Sequence, residues 1–233
     1  MPQETQNTFS DQRIQTSFLA GPEKKALLWL APRMPQWVTP DVLTYIGLFG
    51  MGMCGLGYYL ATKHWIFLVI SSLGHVVNWF GDSLDGTLAR YRKQQRPKYG
   101  YYLDHLVDAF GMAIMIFGLA YSGLAHQTYI WLVLCLFFIA SINTYLVTST
   151  TGVFKISYLR FSTTEARVAL ILMNTMLIFV QNVNIFGLSF RWMDVLAILV
   201  SLFLLVAIIR SACKTLTVLD KQERALWKNN ADE

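Results

Sequence analysis

Gly81-Asp82-Ser83-Leu84-Asp85-Gly86-Thr87-Leu88-Ala89-Arg90, followed nine residues later by Gly100-Tyr101-Tyr102-Leu103-Asp104-His105-Leu106-Val107-Asp108, sets four aspartates inside what otherwise read as two membrane-spanning helices. An ionised Asp at the centre of such a helix costs about 3 kcal/mol on insertion scales, so four of them require compensation. Divalent metal is the compensator that carboxylates in this number call for.

The rest of the chain supports a membrane setting. It has 233 residues, 55% hydrophobic and 14% charged, whereas an ordinary soluble domain carries about 25% charged residues. Apolar windows long enough for a hydrocarbon core of about 30 Å fall near residues 40–62, 64–89, 101–124, 127–149, 166–188 and 192–213. The expected fold is therefore an all-α integral membrane protein, with six transmembrane helices in one bundle.

The net charge of +5 could suggest nucleic acid, but its distribution follows membrane topology instead. Of the 19 Lys and Arg, all but Lys63 and Arg191 fall on one side of the six windows, including Arg90, Arg92, Lys93, Arg96 and Lys98 between the second and third. The positive-inside rule puts that loop and both termini in the cytosol. The membrane is the cell inner membrane if the source is bacterial and the endoplasmic reticulum if it is eukaryotic. The polar first 25 residues lack the apolar stretch of a cleavable signal peptide. Cys54, Cys135 and Cys213 stand singly in three predicted spans, without metal-ligand spacing, and read as packing residues.

Four segments are expected. Residues 1–20, rich in Gln, Thr and Ser, read as a disordered cytosolic tail. Residues 21–36 read as a short amphipathic helix in the membrane interface, mixing Lys24, Lys25 and Arg33 with Trp29 and three leucines, and ended early by Pro32. Residues 37–218 form the transmembrane domain and 219–233 a cytosolic C-terminal tail. Thr39-Pro40 reads as a helix start, with Thr39 as N-cap and Pro40 at the first helical position. Gly47, Gly50, Gly52, Gly55 and Gly57 crowd the first span, where small residues let helices approach closely. Short loops make consecutive helices antiparallel neighbours.

At about 100° per residue, Asp82 and Asp85 lie about 60° apart on one helix face, and Asp104 and Asp108 about 40° apart on the next helix. Two facing pairs can therefore converge. His75, Asn78, Asp82, Asp85 and Ala89 continue one polar edge that should look into the bundle. Oxygen-only ligands suit Mg2+ or Mn2+, and two such ions clamped by carboxylates suit a phosphoryl displacement. Gly86 and Ala89 leave room for a ligand near the backbone, and Arg90 adds a fork that can hold a diphosphate. Taken one at a time, Arg90 also reads as a topological charge and Gly86 as a packing residue.

Together, Asp82, Asp85, Gly86, Ala89, Arg90, Gly100, Asp104 and Asp108 occupy all eight fixed positions of a signature, and the 27-residue segment resembles the CDP-alcohol phosphotransferase family. That signature is D-x-x-D-G-x-x-A-R, a short spacer, and G-x-x-x-D-x-x-x-D. The resemblance implies transfer of a substituted phosphate from a CDP-linked donor, a CDP-alcohol or CDP-diacylglycerol, to a hydroxyl acceptor with release of CMP. It implies that Asp82, Asp85, Asp104 and Asp108 hold two divalent ions and that Asp108 also serves as general base. It places Gly86, Ala89 and Arg90 against the cytidine diphosphate, has membrane lipids around the enzyme, and admits a homodimer.

Asp104-His105 is similar to the choline and ethanolamine branch of that family, while His105 also reads as a simple interface hydrogen-bonder. Within the family the alternative is CDP-diacylglycerol as donor with a small polar alcohol as acceptor. Asp41 stands where the family usually has Asn. Ser162 and Glu165 form a capping pattern, and Arg167, with Lys155 and Arg160 before it, could bind a phosphate or lipid head group. Outside the family, an ion-coupled transporter would use the same acids, but no internal repeat is evident and the acids cluster toward one surface. A non-catalytic scaffold would be expected to lose acids or Arg90, and none is lost.

Overall fold

The computed structural model describes residues 19–151, 163–180, 182–185 and 188–231. Helix α1 (Ala20–Leu30) passes at Pro32 into a 3-10 turn (Ala31–Arg33), where proline cannot continue the α-helical ladder. Then follow α2 (Pro40–Leu60), α3 (Ile66–Tyr91), α4 (Pro97–Ala120), α5 (Gln127–Thr151) and α6 (Thr163–Phe179). Strands β1 (Asn182–Ile185) and β2 (Leu188–Arg191) pair antiparallel before α7 (Trp192–Ala231).

Among the described residues, α2, α4, α5 and α7 are long and apolar enough to cross a membrane. The outer faces of these helices present large apolar side chains such as Phe49, Phe110, Leu146 and Leu199, as lipid-facing surfaces do. Most of residues 1–20, with Ser162, Lys155 and Arg160, lie outside the described residues.

Three expectations change. The window at 166–188 is not one helix: a short strand pair follows α6 in a fold whose other described elements are all helical. Helix α6 stops at Phe179, and Asn182-Val183-Asn184-Ile185 alternates polar and apolar residues, a strand period that pairs with Leu188–Arg191. Helix α7 does not end near 213 but runs to Ala231, so 219–231, expected as a tail, is helical; the Asp220–Arg224 pair, at 2.8 Å and one turn apart, supports that extension. Of the cysteines, Cys54 is buried and packs, whereas Cys135 and Cys213 are exposed on outer faces.

Packing follows the small residues. Thr39 caps α2 as expected, its Oγ1 accepting from Val42 N at 3.3 Å. Antiparallel α2 and α3 meet glycine to backbone. A Cβ on Gly50 would lie 2.5 Å from Asn78 N and 2.7 Å from Gly74 O, and one on Gly57 would lie 2.7 Å from Phe67 O. On the next face of α2, a Cβ on Gly55 would lie 2.6 Å from Ile114 O of α4, while Gly52 faces open space. Consecutive helices are thus neighbours at α2–α3 and α4–α5, but α3 and α4 both lean on α2 rather than mainly on each other, and α3 also packs on α6 and α5 on α7.

The polar edge of α3 is satisfied inside the bundle, as buried polar groups must be. Tyr58 Oη lies 3.2 Å from His75 Nε2, and Asn78 Nδ2 donates to Gly47 O at 3.0 Å. One end of the bundle is fixed to α1. Leu27, Ala31, Val38, Leu43, Leu84 and Leu88 form one buried cluster, and Arg92 donates to the carbonyls of Met34, Pro35 and Val38 at 2.6 to 3.0 Å. This end carries the acids.

Candidate active site

Asp82 sits in the last third of α3 and Asp104 and Asp108 in the first half of α4, on either side of the loop from Arg92 to Arg96. The i, i+4 spacing keeps Asp104 and Asp108 on one face of α4. One carboxylate oxygen each from Asp82, Asp104 and Asp108 lies within 4.8 Å of the others. Two ionised carboxylates at that distance repel by about 3 kcal/mol at an effective dielectric near 20. The trio is therefore stable as anions only with positive charge among them, and an all-oxygen donor set of this kind fits a hard divalent cation.

Asp85, expected in the same cluster, stands outside the trio. Its Oδ2 accepts from Thr44 Oγ1 of α2 at 2.7 Å, and its Oδ1 accepts from the backbone N–H of Gly86. Both oxygens thus have local donors.

Exposure separates the three clustered acids. Asp82 and Asp104 are half-buried and Asp108 is exposed, so Asp108 is the one most open to an incoming group. Gly86 and Ala89 lie half-buried within the two turns after Asp82. Arg90 is exposed beyond them, its Nη2 donating to Thr87 Oγ1 at 3.2 Å.

The guanidinium of Arg167, from the first turns of α6, enters the acid cluster. It pairs with Asp82 Oδ2 through Nη2 and donates from Nε to Asn78 Oδ1 at 2.8 Å. Its side chain is only 12% exposed, and its third nitrogen, Nη1, is buried without a hydrogen-bond partner among the described residues. Charge type alone marked Arg167 as an anion binder, but nothing in the sequence signalled which acid it would meet.

Glu23 is a residue that sequence reasoning missed. Its Oε1 accepts from Trp79 Nε1 (3.0 Å) and Ser83 Oγ (2.9 Å) of α3 and from Thr164 Oγ1 (2.9 Å) of α6. Glu165 accepts from Leu19 N at 3.1 Å; Ser162, its partner in the expected capping pattern, lies outside the described residues. These contacts tie α1 to both helices that frame Asp82.

Asp41 and His105, both singled out in the sequence, have local partners. Asp41 pairs with Arg96, whose guanidinium lies 4.1 Å over the Tyr99 ring; the hydrogen bond that Arg96 donates to Asp41 raises the Arg96 pKa. His105 Nδ1 lies 2.7 Å from Tyr101 O, and its ring packs 4.2 Å from Tyr101 and 5.3 Å from Tyr145. His105 is thus held within the helix interface.

Residues 37–209 match the model of the CDP-alcohol phosphatidyltransferase family. Part of the chain is similar to an archaetidylinositol phosphate synthase of Pyrococcus horikoshii, 32% identical over 89 residues that make up 38% of this chain and 44% of that protein. A further similarity is to an uncharacterized protein of Aquifex aeolicus, 31% identical over 93 residues, 39% of this chain and 44% of that one. The chain thus spans less than half the length of the curated relatives it matches. Its fold is similar to the crystal structure of a Mycobacterium tuberculosis phosphatidylinositol phosphate synthase in apo form, with a TM-score of 0.51 over 84% of this chain and 93% of that chain at 18% identity.

Proposed function

The chain belongs to the CDP-alcohol phosphatidyltransferase family, and on that premise we propose that it transfers a substituted phosphate from a CDP-linked donor to a hydroxyl acceptor, releasing CMP. The observation that carries this reading is the meeting of Asp82, Asp104 and Asp108 at the end of α3 and α4 where Gly86, Ala89 and Arg90 also lie. Asp82, Asp104 and Asp108, with Asp85 beside them, would hold Mg2+ or Mn2+. When bound, the cations supply positive charge against the charge that builds on the phosphoryl oxygens.

The chain's own groups divide the remaining work. Asp108, the exposed acid of the trio, takes the proton of the acceptor hydroxyl as its oxygen bonds to the donor phosphorus. The phosphorus–oxygen bond to CMP breaks and CMP leaves with the electron pair. Gly86 and Ala89 admit the nucleotide close to the α3 backbone, and the Arg90 fork faces its diphosphate. Thr44 fixes Asp85 so that its carboxylate does not turn away from the site.

For the donor, the reading favours CDP-diacylglycerol with a small polar alcohol or its phosphate as acceptor. The names of two relatives, an archaetidylinositol phosphate synthase and a phosphatidylinositol phosphate synthase, support that choice. His105, held by Tyr101 and Tyr145, gives the aminoalcohol branch no separate support. The protein is expected to form phosphatidyl product from CDP-diacylglycerol with inositol phosphate or glycerol phosphate, identified by mass spectrometry. Product from CDP-choline and diacylglycerol alone would reverse the donor assignment, and CMP release from neither donor would overturn the reading.

The topology belongs to the same proposal. Helix α3 is long enough to span, its acids compensated inside the bundle, and α6, about 26 Å long, nearly matches a core of about 30 Å. Together with α2, α4, α5 and α7 they make six spans, with both termini and the acid cluster on the cytosolic side. A water-soluble acceptor would reach Asp108 from the cytosol while the lipid donor enters from the bilayer.

A further inference from the structure

We infer that Arg167 is the resident counter-ion of the acid cluster, and that a divalent cation loads by exchange, taking Asp82 from the guanidinium. The inference rests on the metal reading proposed above. Three observations carry it. The guanidinium pairs with one oxygen of Asp82, a member of the trio that brings an oxygen each of Asp82, Asp104 and Asp108 within 4.8 Å of one another. Its Nε is separately held by Asn78 at 2.8 Å, so the side chain keeps one anchor after Asp82 is withdrawn. Its Nη1 is buried and has no acceptor among the described residues, so the pairing with Asp82 uses only part of the guanidinium's donor set.

The stem of Arg167 is also fixed from behind. Thr164 is bonded to Glu23 and Glu165 to Leu19 N, which hold the first turn of α6 against α1 and α3. The guanidinium is thus delivered to the cluster by the fold rather than by a free surface side chain. Clustered carboxylates repel one another, so the charge of Arg167 beside the half-buried Asp82 keeps the cluster tolerable before metal arrives. The same positive charge opposes an arriving cation, so metal affinity is set by an exchange and is weaker than that of the carboxylates alone.

The test titrates Mn2+ into the purified full-length protein in detergent and reads free Mn2+ by electron paramagnetic resonance. Arg167→Gln removes the charge and is expected to bind Mn2+ at least about tenfold more tightly than the wild type. Arg167→Lys keeps a charge but cannot hold Asn78 and Asp82 with one planar fork, and is expected to bind a few-fold more tightly. If Arg167→Gln does not fold, the lysine variant alone decides. Unchanged or weaker Mn2+ binding in the folded variants, with clear binding by the wild type, overturns the exchange. Absence of Mn2+ binding in the wild type and both variants overturns the metal reading, and the exchange with it.

Discussion

Asp108→Asn is expected to lower CMP release by about 1,000-fold or more, with the protein still folded. Asn has nearly the same shape, so packing on α4 is kept, but it can neither accept the hydroxyl proton nor offer an anionic ligand. General-base catalysis alone is worth about 100-fold to 10,000-fold, and losing a carboxylate from the trio adds to that. Rate of CMP release and the thermal unfolding curve, measured on the same preparation, check the claim. A rate within tenfold of wild type would remove Asp108 from the base role. Mn2+ binding by the same variant then separates the two losses, because a pure base leaves affinity unchanged whereas a ligand does not.

Gly81→Val is expected to cost about 3 kcal/mol or more in stability and to abolish activity with it. A Cβ at Gly81 would press directly on the Gly47 amide and the Leu43 carbonyl, both backbone atoms of α2. Backbone cannot rotate aside as a flexible side chain can, so α2 and α3 must separate, and Asp82 is the next residue. Close backbone approach is the main source of helix association in lipid, where apolar burial gives little. The control is Gly52→Val, on the same stretch of α2, where a Cβ meets nothing within 4 Å and little change is expected. Unfolding in mixed micelles distinguishes them; equal stability of the two variants would show that the α2–α3 contact does not hold the fold.

The parts of this arrangement governed by local spacing were legible in the chain. Thr39-Pro40 marks the start of α2, Pro32 the end of α1, and the helical period puts Asp104 beside Asp108 and turns His75 and Asn78 inward. What spacing does not contain is which distant residue meets which. Thr44 takes an oxygen of Asp85 from 41 positions away, Arg167 reaches Asp82 from 85 away, and Glu23 gathers Trp79, Ser83 and Thr164 from two helices. Those contacts depend on helix packing that a hydropathy window averages over. The same averaging joined α6 to the β-hairpin, because Val183 and Ile185 raise the apolar content of a stretch whose alternation with Asn182 and Asn184 is a strand signal. At α7, the apolar window ended near 213 while the helix did not, since a helix leaving a membrane continues through charged pairs such as Asp220 and Arg224.

On the proposed function, the acids of α3 and α4 work through bound divalent cations on a CDP-linked donor. CMP release from CDP-diacylglycerol, with a polar acceptor present, tests it most directly when followed before chelation, after removal of divalent ions, and after Mn2+ is returned. Release should fall to background on chelation and recover with Mn2+ in the wild type, with no recovery in Asp82→Asn or Asp104→Asn. Release that continues undiminished after the metal is removed would contradict the account.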